Sequence, residues 1–170
     1  MAKHRKSSST THASTPALAQ LEQAHIAYQL HEYEHDSEHM HDGYGLEAAA
    51  KLGIDPHRVC KTLMADLGGE LVTAVVPVSG HLDMKALAHA CGAKKAHLAE
   101  AQQAMRETGY VVGGISPLGH RSPHRTVLDA QAAQYPTILV SGGKRGTSIE
   151  LAPQDLVSVL QADIAPIATW

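Results

Sequence analysis

Residues 31 to 43, HEYEHDSEHMHDG, gather four histidines (His31, His35, His39 and His41) among five carboxylates and Tyr33. Imidazole is the commonest protein ligand for transition metals, so these residue types first suggest metal-assisted hydrolysis. Their spacing argues against it. The flanking IAYQLHEYEH has the pattern of a strand, and a strand sets His31 about 13 Å from His35 at about 3.3 Å per residue. Two such side chains do not converge on one ion. The chain also lacks HExxH and any zinc-like Cys/His spacing. Neither a metal nor another cofactor is expected.

Other residues bear on chemistry more directly. Cys60 precedes Lys61 in VCKTLMA, and neighbours on a strand face opposite ways, so a cleft that receives Lys61 turns away from Cys60. Cys60 and Cys91, the only cysteines, both read as small packing residues. Lys61 interrupts an apolar strand. Such a lysine either snorkels to water from an edge or aims a cation into a cleft to hold a phosphate or a carbonyl oxygen. The residues alone leave both open. GGISPLG, Gly113 to Gly119, packs three glycines and a proline into seven positions. Clusters of this kind mark turns. Bare main chain also lets a substrate approach closely enough for exposed N–H groups to bind an oxyanion. SGGKRG, Ser141 to Gly146, is a second such loop and adds Lys144 and Arg145. It lacks the GxxxxGK[ST] spacing of a P-loop.

The elements that must carry these residues follow from caps, periodicity and turns. Thr15 and Pro16 start a helix, with Leu18, Leu21 and Ala24 near one face. The strand IAYQLHEYEH turns Tyr28, Leu30, Glu32 and Glu34 one way and Gln29, His31, Tyr33 and His35 the other. Asp42 can cap a short helix through LEAAAKL that stops at Gly53. VCKTLMA and ELVTAVVPV form a hairpin over LGGE. Helices follow over DMKALAHACG, with Asp83 as cap and Gly92 as stop, and over HLAEAQQAMRETG, which ends at Gly109. YVVGGISPLGH begins as a short strand and runs into its Gly/Pro loop. TVLDA, TILVSGG and TSIELAP read as strands, and PQDLVSVLQA as the closing helix. Hairpins mixed with helices predict an α+β domain rather than a doubly wound sheet.

The 170 residues suit one domain, residues 15–170, behind a polar tail over 1–14 that cannot bury enough apolar surface to order. With no Phe in the chain, the core must come from Leu, Val, Ile, Ala and Met. The net charge of −3 speaks against a general electrostatic hold on nucleic acid. It leaves room for a local grip on one nucleotide end. The N-terminal KHRK and its Ser/Thr run carry no apolar stretch for a signal or membrane anchor, and no CxxC is present. A reducing cytoplasm is expected.

VCKTLM, GAKK, GYVVGGISPLG, VSGGKRG and IEL, in this order and at these separations, resemble the YbaK branch of the YbaK/prolyl-tRNA-synthetase editing-domain superfamily. The resemblance runs from about Thr15 to Ile164. GYVVGGISPLG together with SGGKRG is long enough to be specific. It implies a mixed, barrel-like sheet with flanking helices and one cleft. It implies a free-standing deacylase that hydrolyses the ester of Cys mischarged on tRNA(Pro), working at the 3′ aminoacyl end beside prolyl-tRNA synthetase. In that scheme the substrate's own thiol attacks, so the protein supplies position and charge rather than a nucleophile.

The resemblance makes Lys61 the lysine on which deacylation depends. Main chain of Gly113, Gly114, Ile115 and Ser116 would meet the aminoacyl group. Tyr33, Pro117, Leu118, Gly119, Ser141, Gly142, Gly143 and Ser148 would form the substrate wall. Relatives can carry an acidic residue two places before the glutamate of IEL. Here Ser148 stands there and cannot hold a negative charge against the substrate ammonium. Lys94, Lys95, Arg121, Arg125, Lys144 and Arg145 are candidates for a basic rim toward tRNA. The alternatives are an Ala-tRNA(Pro) deacylase, a non-catalytic tRNA or nucleotide-binding module, and a hydrolase using a metal on the histidines above.

Overall fold

A hairpin is the frame on which the rest assembles. In this computed structural model, which describes residues 14–36 and 43–170, β2 (Cys60–Asp66) and β3 (Leu71–Pro77) pair antiparallel from Cys60↔Pro77 to Asp66↔Leu71. Asp66 closes the turn by accepting the N–H groups of Gly68 and Gly69, both at positive φ, where glycine is unstrained. β3 is buried along nearly its whole length, as its unbroken Val/Ala run requires of a central strand covered on both faces.

This hairpin lies in a five-stranded mixed sheet of order β5-β2-β3-β6-β9. β5 (His97–Leu98) pairs antiparallel with β2, while β6 (Arg125–Asp129) and β9 (Asp163–Ala165) run parallel to their neighbours. A second sheet has the order β1-β8-β7, from β1 (Gln29–Glu32), β7 (Ile138–Ser141) and β8 (Thr147–Leu151), all antiparallel. β4 (His81–Leu82) and β10 (Ala168–Thr169) make a small third pair. The two larger sheets touch through one parallel bridge, Val59↔Leu139.

Five helices flank the sheets among the described residues: α1 (Pro16–Gln23), α2 (Tyr44–Leu52), α3 (Met84–Ala90), α4 (Ala101–Thr108) and α5 (Pro153–Leu160). The main core packs α1 and α5 against β7 and β8, centred on Leu21, Ile138, Ile149 and Leu156. A smaller group joins α2 to the seam through Ala48, Ala49, Val59, Val78 and Leu139. No helix among the described residues is long and apolar enough to cross a membrane.

The α+β class and the mixed sheet agree with the expectation from sequence, but the strands do not close into a barrel. Local differences have local causes. Tyr110–Val112 forms no strand. The Tyr110 ring is buried, and its hydroxyl donates to Leu118 O at 2.7 Å, which folds the segment back on its own loop. His97–Leu98, expected as the start of a helix, instead pairs with Ala65 and Asp66 at the sheet edge, and α4 begins only after Glu100. IAYQLHEYEH keeps strand pairing only over Gln29–Glu32. Gly43 holds the N-cap position of α2. The expected Asp42 cap and the expected tail, except Ser14, lie outside the described residues, as do His39 and His41.

Candidate active site

Lys61 stands on β2, opposite Val76 of β3. Its ammonium is half-buried and donates to Gly80 O at 2.9 Å. Burial lowers its pKa from the ordinary lysine value. It borders a cavity of about 460 Å³ that opens between the two larger sheets. The same wall carries Tyr33, Gly113, Ile115, Ser141, Lys144 and Ser148. Two Gly-rich loops and the strand lysine, distant in sequence, thus meet at one space.

The loops come together because glycine lets them. A Cβ at Gly114 would fall 2.8 Å from Lys144 Cα, so the 113–119 loop rests directly on the 141–146 loop. Gly113 has φ +90, and a Cβ there would lie 2.6 Å from the Tyr44 ring. The Gly114 N–H is already used, donating to Val111 O at 2.8 Å. The N–H groups of Gly113 and Ile115 have no protein acceptor among the described residues. Both residues border the cavity, so their amides are candidate donors to a ligand there.

Several expected wall residues support the loops instead. Ser116 and Leu118 are fully buried. The Ser116 hydroxyl accepts Leu118 N–H at 3.2 Å. Gly119 packs against the start of α1 and donates its N–H to Gln20 Oε1 at 2.7 Å. With Pro117, it borders a separate cavity of about 330 Å³ on the far side of the loop. Gly142 and Gly143 form the β7–β8 turn: Gly142 N–H donates to Thr147 O at 2.8 Å, and Gly143 N–H to the Ser141 hydroxyl at 3.1 Å. Gly114, Ser116, Pro117, Leu118, Gly119, Gly142 and Gly143 therefore shape the cavity without bordering it.

The proposed basic rim is only partly assembled. Lys144 borders the cavity. Arg145 stacks over the Tyr44 ring, 5.0 Å to its centroid, and donates to Val112 O at 2.7 and 2.9 Å. Arg121 instead packs by Gly109 and donates to Arg106 O. Arg125 pairs with Glu70 and donates to Cys91 O. Lys94 and Lys95 are exposed and border neither cavity.

Tyr44 and the apolar mouth formed by Leu46, Leu98 and Val112 are absent from the sequence-based set. One signal for Tyr44 was available. Gly45 interrupts an alanine-rich helix start, where a Cβ would sit 2.2 Å from Val78 Cγ1. A glycine so placed marks close packing of α2 onto the strand end near Lys61.

Of the histidines in this stretch, the two described, His31 and His35, serve structure. His31 pairs with Glu150 at 2.8 Å, and Arg58 meets the other oxygen of that carboxylate at 2.8 Å. His35 pairs with buried Glu47 at 2.9 Å. Burial alone would raise the Glu47 pKa. The Asp36 N–H, His35 and Lys51 outweigh burial and hold it below the ordinary carboxylate value. Burial, then nearby Glu47, raises Tyr33 and keeps it a neutral phenol. Burial and Asp129 push the Cys60 thiol up, so it is no ready nucleophile. Among the described residues, the cavity wall holds no carboxylate and no imidazole.

The model of the aminoacyl-tRNA editing domain family matches residues 44–159. The chain belongs to that family. This editing domain is also 37% identical over 161 residues to an Enterococcus faecalis (strain ATCC 700802 / V583) protein, covering 94% of this chain and 96% of the relative. That relative is named "Putative Cys-tRNA(Pro)/Cys-tRNA(Cys) deacylase EbsC". The editing-domain fold matches a crystal structure of "a putative trans-editing enzyme for prolyl tRNA synthetase" at TM-score 0.78 and 22% identity, covering 94% of this chain and 100% of the other. It matches a hypothetical protein at TM-score 0.80 and 23% identity, covering 91% and 100%.

Proposed function

We propose that this editing domain removes cysteine from mischarged tRNA(Pro), using the substrate's own thiol as nucleophile. The observation that carries this reading is the composition of the cavity wall. It offers a cation at Lys61 and two main-chain donors, at Gly113 and Ile115, with no carboxylate or imidazole among the described residues to activate water. The name of the Enterococcus relative supports the substrate, and the name of the structural neighbour supports work beside prolyl-tRNA synthetase.

In the proposed step the cysteinyl sulfur attacks its own ester carbonyl carbon. An S–C bond forms, and the bond from that carbon to the ribose oxygen breaks. The thiol proton ends on the ribose oxygen, and the cyclic thioester leaves to hydrolyse in water. Negative charge gathers on the carbonyl oxygen in the tetrahedral intermediate, where the Gly113 and Ile115 N–H groups can receive it. Lys61 steadies the carbonyl, the ribose or the terminal phosphate. The protein contributes geometry, which alone can supply much of the barrier reduction. Such an editor meets a physical need, since one methylene discriminates by only about 1–3 kcal/mol in a synthetase pocket.

Ser148, 5% exposed, brings a neutral hydroxyl to the wall. No wall carboxylate among the described residues then meets the substrate ammonium, and selection falls on side-chain chemistry: of Cys, Ala and Ser, the thiol is by far the best internal nucleophile. Single-turnover deacylation of Cys-, Ala- and Ser-charged tRNA(Pro), with and without the synthetase, tests this. Cys is expected to clear fastest, and Lys61→Ala to slow it by about 10²-fold or more, with the melting temperature little changed. Faster clearance of Ala than Cys would overturn both the specificity and the self-attack.

A further inference from the structure

We propose that Trp170 is a positioning residue: through Gly80, its indole fixes where the Lys61 ammonium rests. The proposal rests on the reading above only in giving that ammonium a role in turnover.

Among the described residues, Lys61 Nζ makes one hydrogen bond, to Gly80 O, and no ion pair. The direction of that carbonyl therefore sets the position of the cation at the cavity wall. Gly80 lies in the turn between β3 and β4, where its N–H donates to Pro77 O at 3.1 Å. What covers Gly80 on its other side is Trp170. A Cβ at Gly80 would fall 2.7 Å from both Cε3 and Cζ3 of the indole, and 2.8 Å from Thr169 O. The ring occupies the space that any other residue's side chain would need.

The segment bearing the indole is anchored independently. Asp129, itself buried, accepts the N–H groups of Ile167 (2.9 Å) and Ala168 (3.1 Å). Asp83 N–H donates to Ile167 O at 2.8 Å, and Ile167 is fully buried. Beyond it, Ala168 pairs with Leu82 and Thr169 with His81. The Trp170 ring also stands 5.9 Å from that of His57, just before the strand that carries Lys61. Trp170 is 59% exposed, so it adds little to a core. Its contact is with the bare Gly80 main chain instead. The segment lies beyond the 44–159 match.

Acetylation by an N-hydroxysuccinimide ester, followed peptide by peptide with mass spectrometry on the full chain, reads the freedom of Lys61 directly. Trp170→Ala is expected to raise the Lys61 rate about tenfold, as the loss of one hydrogen bond to a charged group implies, with exposed Lys85 as an unchanged reference. kcat should fall while the melting temperature holds. Trp170→Phe, which keeps a ring over Gly80, should restore wild-type labelling and turnover. Gly80→Ala, which drives a methyl into the indole, should free Lys61 as Trp170→Ala does and serves as the second variant. Wild-type Lys61 labelling in both Trp170→Ala and Gly80→Ala would overturn the proposal. The underlying reading fails differently: full deacylation by Lys61→Ala would remove Lys61 from catalysis and leave the labelling result standing.

Discussion

At the scale of single residues, the site depends on where main chain is left bare. Gly113 has positive φ and lies under the Tyr44 ring. Gly113→Ala should therefore cost stability twice, once for the backbone conformation and once for the collision. The total is about 1–3 kcal/mol, read as a lower melting temperature. Tyr44→Ala in the same chain should recover the collision part and leave the backbone part. The single-turnover rate should not recover, because the donor geometry at Gly113 stays disturbed. Sequence showed that GGISPLG could bare its amides. It could not show that Gly114 spends its amide on Val111 O, since that turn is fixed by the loop's packing against Lys144 and Arg145. Lys61 was readable as an anomaly in an apolar strand. Its choice between water and cleft was not, because Gly80 and the opposite wall lie far along the chain.

At the scale of elements, caps and stops were legible because they are local chemistry. Thr15, Asp83, Gly53 and Gly109 occupy the cap positions their residue types suggest. Thr15 does more than cap: its hydroxyl accepts Leu18 N–H and donates to Gly142 O at 2.6 Å, tying α1 to the SGGKRG turn. Thr15→Ala should cost about 1 kcal/mol for the cap and more for the abandoned carbonyl, measured by urea unfolding. Thr15→Ser should retain most of both. β4, β5, β9 and β10, two or three residues each, were not legible. Strands so short have no periodicity of their own and exist only because a distant partner offers an edge. The YVV segment failed for the opposite reason: its β propensity is real, but the buried Tyr110 hydroxyl bond to Leu118 overrides it.

Across the whole molecule, the histidines matter for stability against acid. Burial drives His120 down to about 4 against its bond to Ser116 O, which favours the charged ring, with a smaller push downward from neighbouring His124. A histidine depressed in the fold favours the neutral form there. Its contribution is complete above its ordinary value and is lost as pH falls from about 6.5 toward 4, worth about 3 kcal/mol. Glu47 is depressed as a carboxylate, so its contribution is present above the ordinary carboxylate value of 4.5 and is lost as pH falls from there through its folded value. Urea midpoints against pH should thus fall in two stages. His120→Gln should flatten the first and Glu47→Gln the second; a wild-type midpoint constant from 6.5 to 4 would refute the His120 assignment. The α+β class could be argued from element order, whereas the meeting of two sheets at Val59↔Leu139 could not. That rung lies beside the cavity, with Val59 on its wall and Leu139 off it. Leu139 and Ala49 pack there off the cavity wall, so a change of volume at either reaches the cavity only through Ala48, Val59 and Val78, which line it. Substitutions at those two positions can therefore widen or narrow the cavity from behind, leaving Lys61 and the bare amides in place.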